Sequence, residues 1–431
     1  CFILFDECEK LVQDVHYRDS IREPMNDFFH FQHKALISAT PIVPEKDNSF
    51  DSFMRVLIQP DYEYRQKLKL ITTNNVLETL QEVIEAKRGT VCIFCNSIDS
   101  IDSFYRLIPE LNNACTFCSE DGQYKLWKGN RRKKSMMITE LERYNFFTSR
   151  FYSAVDILCK NPPHVILISD LHGATQSVID PTTEAIQIIG RFRGGVNTVT
   201  HIASIRPDLE CMSANEIDSW IQGASHIFNG WKTQLAQTSN IGERTLLQEA
   251  IGENSYLPYL DANGKPDPFL IANLYEKEQV KRLYTSTDLL CSAYQQTDYF
   301  IFSHEERLMP VSDNERMAIQ HRLAKKKRAE LIVRKLEEME KMSRTTDKKV
   351  QKRYQRMLGN LLTTTNDRYI YDCFCRFGGD FIRESDYNEN KLRAALNVSS
   401  EHTIKQSVQM RSSIQRTFPI GSELSVQEVK S

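Results

Sequence analysis

Between residues 63 and 205, short uninterrupted apolar runs alternate with longer amphipathic stretches, and this alternation restricts the fold more than any other feature of the chain. VCIFC and HVILIS have no polar side to turn toward water. Such runs fit strands buried on both faces, as in a parallel sheet covered by helices on each side. KLKLITT, ACTFC, FFTS and NTVTHIAS read as further strands, while NNVLETLQEVIEAK and SIDSFYRLI have helical spacing. The expectation is an α/β fold wrapped on both faces.

Composition sets the outer bounds. The chain has 431 residues, 41% hydrophobic and 26% charged, enough for two or three domains with cores of their own. A net charge of -2 favours neither a nucleic acid nor a membrane over the whole surface, so a basic face must be local. No stretch approaches the roughly 18 to 20 apolar residues of a membrane span, and the apolar opening is too short for a signal peptide. A soluble protein is expected. The 11 cysteines read as reduced thiols of a cytoplasmic protein. Cys92-x-x-Cys95 and Cys115-x-x-Cys118 have zinc-site spacing, but VCIFC and ACTFC look like strands, in which residues three apart point to opposite faces. Core cysteines are the expectation.

The opening, CFILFDECEK, places Asp6 and Glu7 directly after an apolar run. In an open parallel sheet the crevice beyond the strand ends is where a ligand sits, and carboxylates there can hold a metal ion or orient water. A buried strand capped by two surface acids looks the same. HKALISATPI follows, an apolar strand ending in Ser38-Ala39-Thr40-Pro41; GTVCIFCNS, YNFFTSRFYSAVDI and QIIGRFRGG come later.

In this order the five segments resemble motifs II to VI of superfamily 2 DEAD/DEAH-like helicases, over about the first 205 residues. The resemblance implies two RecA-like parallel-sheet lobes, the first one incomplete, followed by a mostly α-helical C-terminal region. It also implies ATP and Mg2+ as cofactors, with Asp6 on the metal and Glu7 on the attacking water. Arg191 is the expected transition-state cation, with Arg193 as a second candidate and Gln187 as a further catalytic residue, and Gly190 and Asp156 would complete the nucleotide site. Ser38 and Thr40 would couple ATP state to lobe movement, and Thr148 and Ser149 would face nucleic acid. Phosphoryl transfer to water asks mainly for positioning and charge neutralisation, which these residue types supply.

The chain departs from the family pattern at several positions. Motif II reads Asp-Glu-Cys-Glu, and Glu9 has no counterpart role. Ser153-Ala154 replaces the usual Arg-Gly of motif V, and Gly194 stands where the last arginine of motif VI is expected, so a structural ion pair is the competing reading of Arg193. No G-x-x-x-x-G-K-[ST] occurs; the Gly-Lys of DANGKPDP is followed by Pro266. We therefore expect a chain truncated ahead of motif II, unable to bind ATP usefully by itself.

The expected domains are 1–62, the back of the first lobe with a strand near FMRVLI; 63–205, the second lobe; and 206–431, a helical accessory domain. Segment 322–356 is locally basic, including Lys325, Lys326 and Lys327. A solvated helix face is the favoured reading, and a phosphate-tracking surface is the alternative. Arg131-Arg132-Lys133-Lys134 is a smaller basic run, read as a solvated loop. The function expected from the resemblance is an ATP-dependent helicase or translocase, directed to DNA rather than RNA, with replication or mobile-element proteins as partners. A scaffold that has lost turnover, or the motor subunit of a restriction-type complex, are the alternatives.

Overall fold

The computed structural model describes residues 1–44, 47–127, 133–138, 140–153, 155–321 and 323–397. Residues 1–307 form one compact unit, and a second begins at Leu308. Among the described residues no helix is long and apolar enough to cross a membrane.

In the first unit, β1 (Phe2–Asp6) and β2 (His33–Ile37) pair in parallel as a small sheet, joined through α1 (Lys10–Gln13) and α2 (Pro24–His30). The large sheet is built from β3 (Gln66–Thr73), β4 (Val91–Cys95), β5 (Cys115–Phe117), β6 (Lys133–Ser135), β7 (Tyr144–Phe147), β8 (His164–Ser169), β9 (Thr198–Ala203) and β10 (Phe300–Arg307). Its eight strands run in the order β10-β3-β9-β8-β4-β7-β5-β6, every pair parallel. The α/β class and the parallel sheet follow the expectation.

Helices α3 (Val76–Glu85), α4 (Ile98–Leu107), α5 (Glu120–Trp127) and α6 (Glu184–Gly190) connect strands of this sheet. Asn75 and Ser97 start the first two by accepting the backbone N–H of Glu78 and Ser100, as short polar side chains do at helix N-termini. Every residue of β4 and β8 is buried. Cys92 and Phe94 face one core, with Leu167 and Ile188, while Ile93 and Cys95 face the other, with Leu80 and Ile101. The cysteine pairs divide in the same way: Cys115 lies in the first core with Cys92, and Cys118 in the second with Cys95.

Beyond residue 205 the structure departs from a single helical domain. α7 (Ala214–Gln237), α8 (Ile241–Gly252), α9 (Pro268–Leu283) and α10 (Thr287–Gln295) lead back to the large sheet, where β10 pairs with β3. A buried network fixes this return. His201 of β9 bonds Ser169 of β8 through Nε2 (3.0 Å) and Tyr294 of α10 through Nδ1 (2.8 Å), and Ser169 also meets the Tyr284 hydroxyl at 2.9 Å. Burial pushes the His201 imidazole down to about 3, so it stays neutral. The unit boundary therefore falls after Arg307 rather than at 205. The strand expected near FMRVLI does not form: residues 53–60 carry no regular structure, and Met54, Leu57 and Ile58 are each more than four-fifths exposed.

In the second unit the run ERMAIQHRLAKKKRAELIVRKLEEMEKM spans two helices, α11 (Asp313–His321) and α12 (Lys325–Ser343). α13 (Lys348–Leu361) and α14 (Thr365–Glu384) follow, with Ile332, Val333, Leu336, Leu361 and Ile370 in the shared core. Within α14 the chain kinks at Gly378, whose φ of 82° suits a residue without a Cβ.

Candidate active site

Two parallel strand ends create the first half of the site. β1 and β2 are in register from Phe2–His33 to Asp6–Ile37, so the acids after one strand lie beside Ser38 and Thr40 after the other. The chain turns sharply after Asp6: Glu7 has φ 54°, a left-handed conformation that costs an L-residue roughly 1–2 kcal/mol. Two bonds hold the turn. Glu7 N–H donates to Asp6 Oδ1 at 2.9 Å, and Cys8 N–H donates to the Ile37 carbonyl at 3.3 Å. Thr40 N–H donates to Ser38 Oγ at 2.9 Å, and the Thr40 side chain is buried.

The second half comes from α6 and the residue after it. Arg191 caps the helix, its Nε donating to the Gln187 carbonyl (3.1 Å) while Nη2 reaches 3.5 Å from Glu7 Oε1. One turn earlier on the same face, the Gln187 amide donates to Glu9 Oε1 at 2.8 Å and to Thr40 Oγ1 at 2.9 Å. The acidic segment, the Ser-Ala-Thr segment and the Gln-Arg helix thus meet at one place. Glu9 is fully buried. Burial first, and the adjoining Glu7 carboxylate second, push its carboxyl up to about 7. Glu9 Oε2 and Gln187 Oε1 are buried without a hydrogen-bond partner among the described residues, which marks the junction as polar and unsaturated.

The remaining expected residues divide. Arg193 does not join Arg191: it pairs with Asp156 at 3.0 Å, both side chains about half exposed, so the ion-pair reading of Arg193 accounts for its placement. Asp156 is the other half of that pair and is not at the acidic junction. Gly190 is not required by crowding, since a Cβ there would meet nothing within 4 Å. Thr148 is buried, its N–H donating to the Phe117 carbonyl at 3.1 Å, whereas Ser149 is exposed with its N–H 3.4 Å from Asn96 Oδ1. Both lie at the C-terminal edge of the large sheet, where β4 and β7 end.

The basic segment is likewise divided. Lys325, Lys326 and Lys327 are exposed on the first turn of α12, and Lys326 pairs with Asp386 at 2.6 Å. Further along, Arg328 pairs with buried Asp367 at 2.6 Å, and Lys335 with Glu315 and Glu338 at 2.8 Å each. Much of the charge on α12 therefore serves the helix packing of its own unit. Ala154, Arg131, Arg132 and Arg322 lie outside the described residues, and nothing is described of the Lys133 and Lys134 side chains.

Glu9 is the functional candidate that motif reading missed. Its signal was present, because an acid placed just ahead of the buried pair Leu11-Val12 faces the core and needs a partner. Nothing local names that partner. Asp6 is exposed at the strand end, where a hard cation such as Mg2+ could reach it, although among the described residues no group of three or more His, Cys, Asp or Glu is placed to hold a metal ion. No protein-family model matches the chain, and no curated protein matches it significantly.

Proposed function

We propose that this chain carries part of the ATP-hydrolysing machinery of a superfamily 2-like nucleic-acid motor, with Cys1 to about residue 62 and residues 63–205 in the roles of its two RecA-like lobes. The observation that supports this most is the convergence on one junction of Glu7, Glu9, Thr40, Gln187 and Arg191, drawn from three segments far apart in sequence. Asp6 would hold Mg2+, which when bound neutralises charge on the nucleotide phosphates. Glu7 would orient the attacking water and take its proton, and Arg191 would meet the charge that develops in transfer. Gln187 would report lobe closure to Thr40, because it can bond Glu9 and Thr40 together only when α6 is against the acidic segment.

Two departures shape the reading. Arg193, paired with Asp156, is not assigned the role of transition-state cation in this reading. The 431 residues contain no phosphate loop, so turnover needs a phosphate cradle in addition to the residues described. DNA is the proposed substrate.

The decisive experiment measures magnesium-dependent ATP hydrolysis by the complete protein, with and without single-stranded DNA or RNA. Wild type should be stimulated by DNA, and Glu7→Gln should lose hydrolysis while keeping ATP binding. Equal turnover in wild type and Glu7→Gln would remove Glu7 from the chemistry. Absence of any hydrolysis in wild type would favour the scaffold.

A further inference from the structure

A cavity of about 920 Å³ opens beside the acidic junction, within the first unit. That volume lies within the usual range for small-molecule sites. The segment after Thr40 forms one wall, the loop 180–183 another, and helices α7, α9 and α10 the rest. Its composition is one-sided. Pro41, Ile42, Ile221, Ile271 and Leu283 supply an apolar surface, whereas Asp180, Asp218 and Glu276 supply carboxylates, and no Lys, Arg or His stands among the described lining residues. A phosphate or carboxylate ligand would meet like charge here.

We propose that this cavity binds a small organic cation, one ammonium or amidinium group carried on an apolar body. The carboxylates are held in place to receive it. Asp180 is fixed by the hydroxyls of Thr182 (2.8 Å) and Thr183 (2.7 Å), and Asp218 accepts from the Tyr275 hydroxyl. Glu276 Oε1 accepts from Gln13 at 3.1 Å, and Gln13 in turn accepts from Lys10 at 2.7 Å. Burial pushes Glu276 up to about 7, opposed by the Gln13 bond and reinforced by the Asp180 carboxylate. Glu184, next to this group, is pushed up to about 8 by burial, with Glu276 and Asp180 adding to it. Lys10 and Lys277 oppose the Glu276 shift, and neither lines the cavity. An ammonium entering the cavity would relieve that repulsion and form charge-assisted hydrogen bonds, while its apolar body would cover the opposite wall.

The inference does not depend on ATP hydrolysis and is tested without it. The probes are 4-phenylbutylammonium, the anion 4-phenylbutanoate and the neutral 4-phenylbutanol, titrated by calorimetry into the purified chain. The ammonium should bind with one-to-one stoichiometry, and the anion and alcohol at least about tenfold more weakly, in line with the value of a hydrogen bond to a charged group. Ammonium affinity should rise between about pH 6 and pH 8 as Glu276 ionises. Glu276→Gln should weaken the ammonium about tenfold and leave the alcohol unchanged. Ile221→Trp, which fills the cavity from a partly buried position on α7, should abolish binding of all three even if the Glu276 variant fails to fold. Absence of saturable ammonium binding, equal binding of the three probes, or undiminished binding to Ile221→Trp would each overturn the proposal.

Discussion

Gln187 and Glu9 lie 178 residues apart in sequence and share a 2.8 Å hydrogen bond between buried side chains. The same Gln187 nitrogen donates to Thr40, so one amide group holds the acidic segment and the Ser-Ala-Thr segment to α6. Removing it would strand two buried acceptors. Gln187→Ala should therefore cost about 1–3 kcal/mol, read as a lower urea midpoint of the first unit with unchanged m-value. A midpoint equal to wild type would mean that the junction contributes nothing to holding these segments together.

Glu9 gives the first unit a pH dependence of definite sign. In the folded protein it keeps its proton up to about 7, whereas its ordinary value is 4.5. The folded state then binds a proton that the unfolded chain has lost, so this contribution is greatest below the ordinary value and declines as pH rises toward 7. Glu9→Gln supplies a permanent neutral amide of the same shape. The fall in thermal midpoint between about pH 5 and pH 8 should be smaller in the variant than in wild type, and parallel curves would show that Glu9 does not titrate in this window.

The two arginines after α6 should differ in their effects. Arg191, facing Glu7, should be indispensable: Arg191→Ala in the complete protein should lower ATP turnover by roughly 10³-fold, in the range reported for arginine fingers. Arg193→Ala breaks an exposed pair with Asp156, worth about 0–1 kcal/mol, and should leave turnover within a few-fold of wild type. Steady-state rates at saturating ATP separate the two, and equal losses would mean that both cations act on the phosphates.

Reversal of Lys325, Lys326 and Lys327 to Glu tests the basic helix. These side chains project from the first turn of α12, and one of them is already paired with Asp386. The expected result for the complete protein is a nucleic-acid affinity whose salt dependence keeps its slope, because a solvated face releases no counterions on binding. A slope reduced by close to one per lost lysine would make this turn a phosphate-contacting surface. Folding should change little, since Glu and Lys are similar helix formers.

Asp367 performs two tasks in the second unit. It receives Arg328 on α12 and, with Thr364, forms the capping box that starts α14. Asp367→Ala leaves the guanidinium without its carboxylate and the helix without its cap, a loss of about 3–5 kcal/mol. Cooperative unfolding of α11 to α14 at a much lower temperature, followed by helical circular dichroism, is the expected result. A loss below about 1 kcal/mol would show that Arg328 finds another partner.

The sequence by itself determined the elements whose burial is written into consecutive residues. VCIFC and HVILIS are apolar at every pleat and can be stable only between two covered faces, and KLKLITT, NTVTHIAS and the amphipathic helices between them complete the parallel sheet. It also placed Asp6, Glu7, Ser38 and Thr40 at the ends of two strands. Only the tertiary structure decided where the polar elements went. Phe300–Arg307, inside the stretch expected to be helical, becomes an edge strand with Phe300 and Phe302 packed on Tyr294, while FMRVLI, apolar enough for a strand, carries no regular structure and stays exposed. Glu9 acquired Gln187 as its partner, and Arg191 came to face Glu7, only when α6 met the acidic segment. Periodicity records which way a side chain faces along its own element. A hydrogen bond between residues 178 apart depends on how the whole chain closes, and no local pattern carries that information.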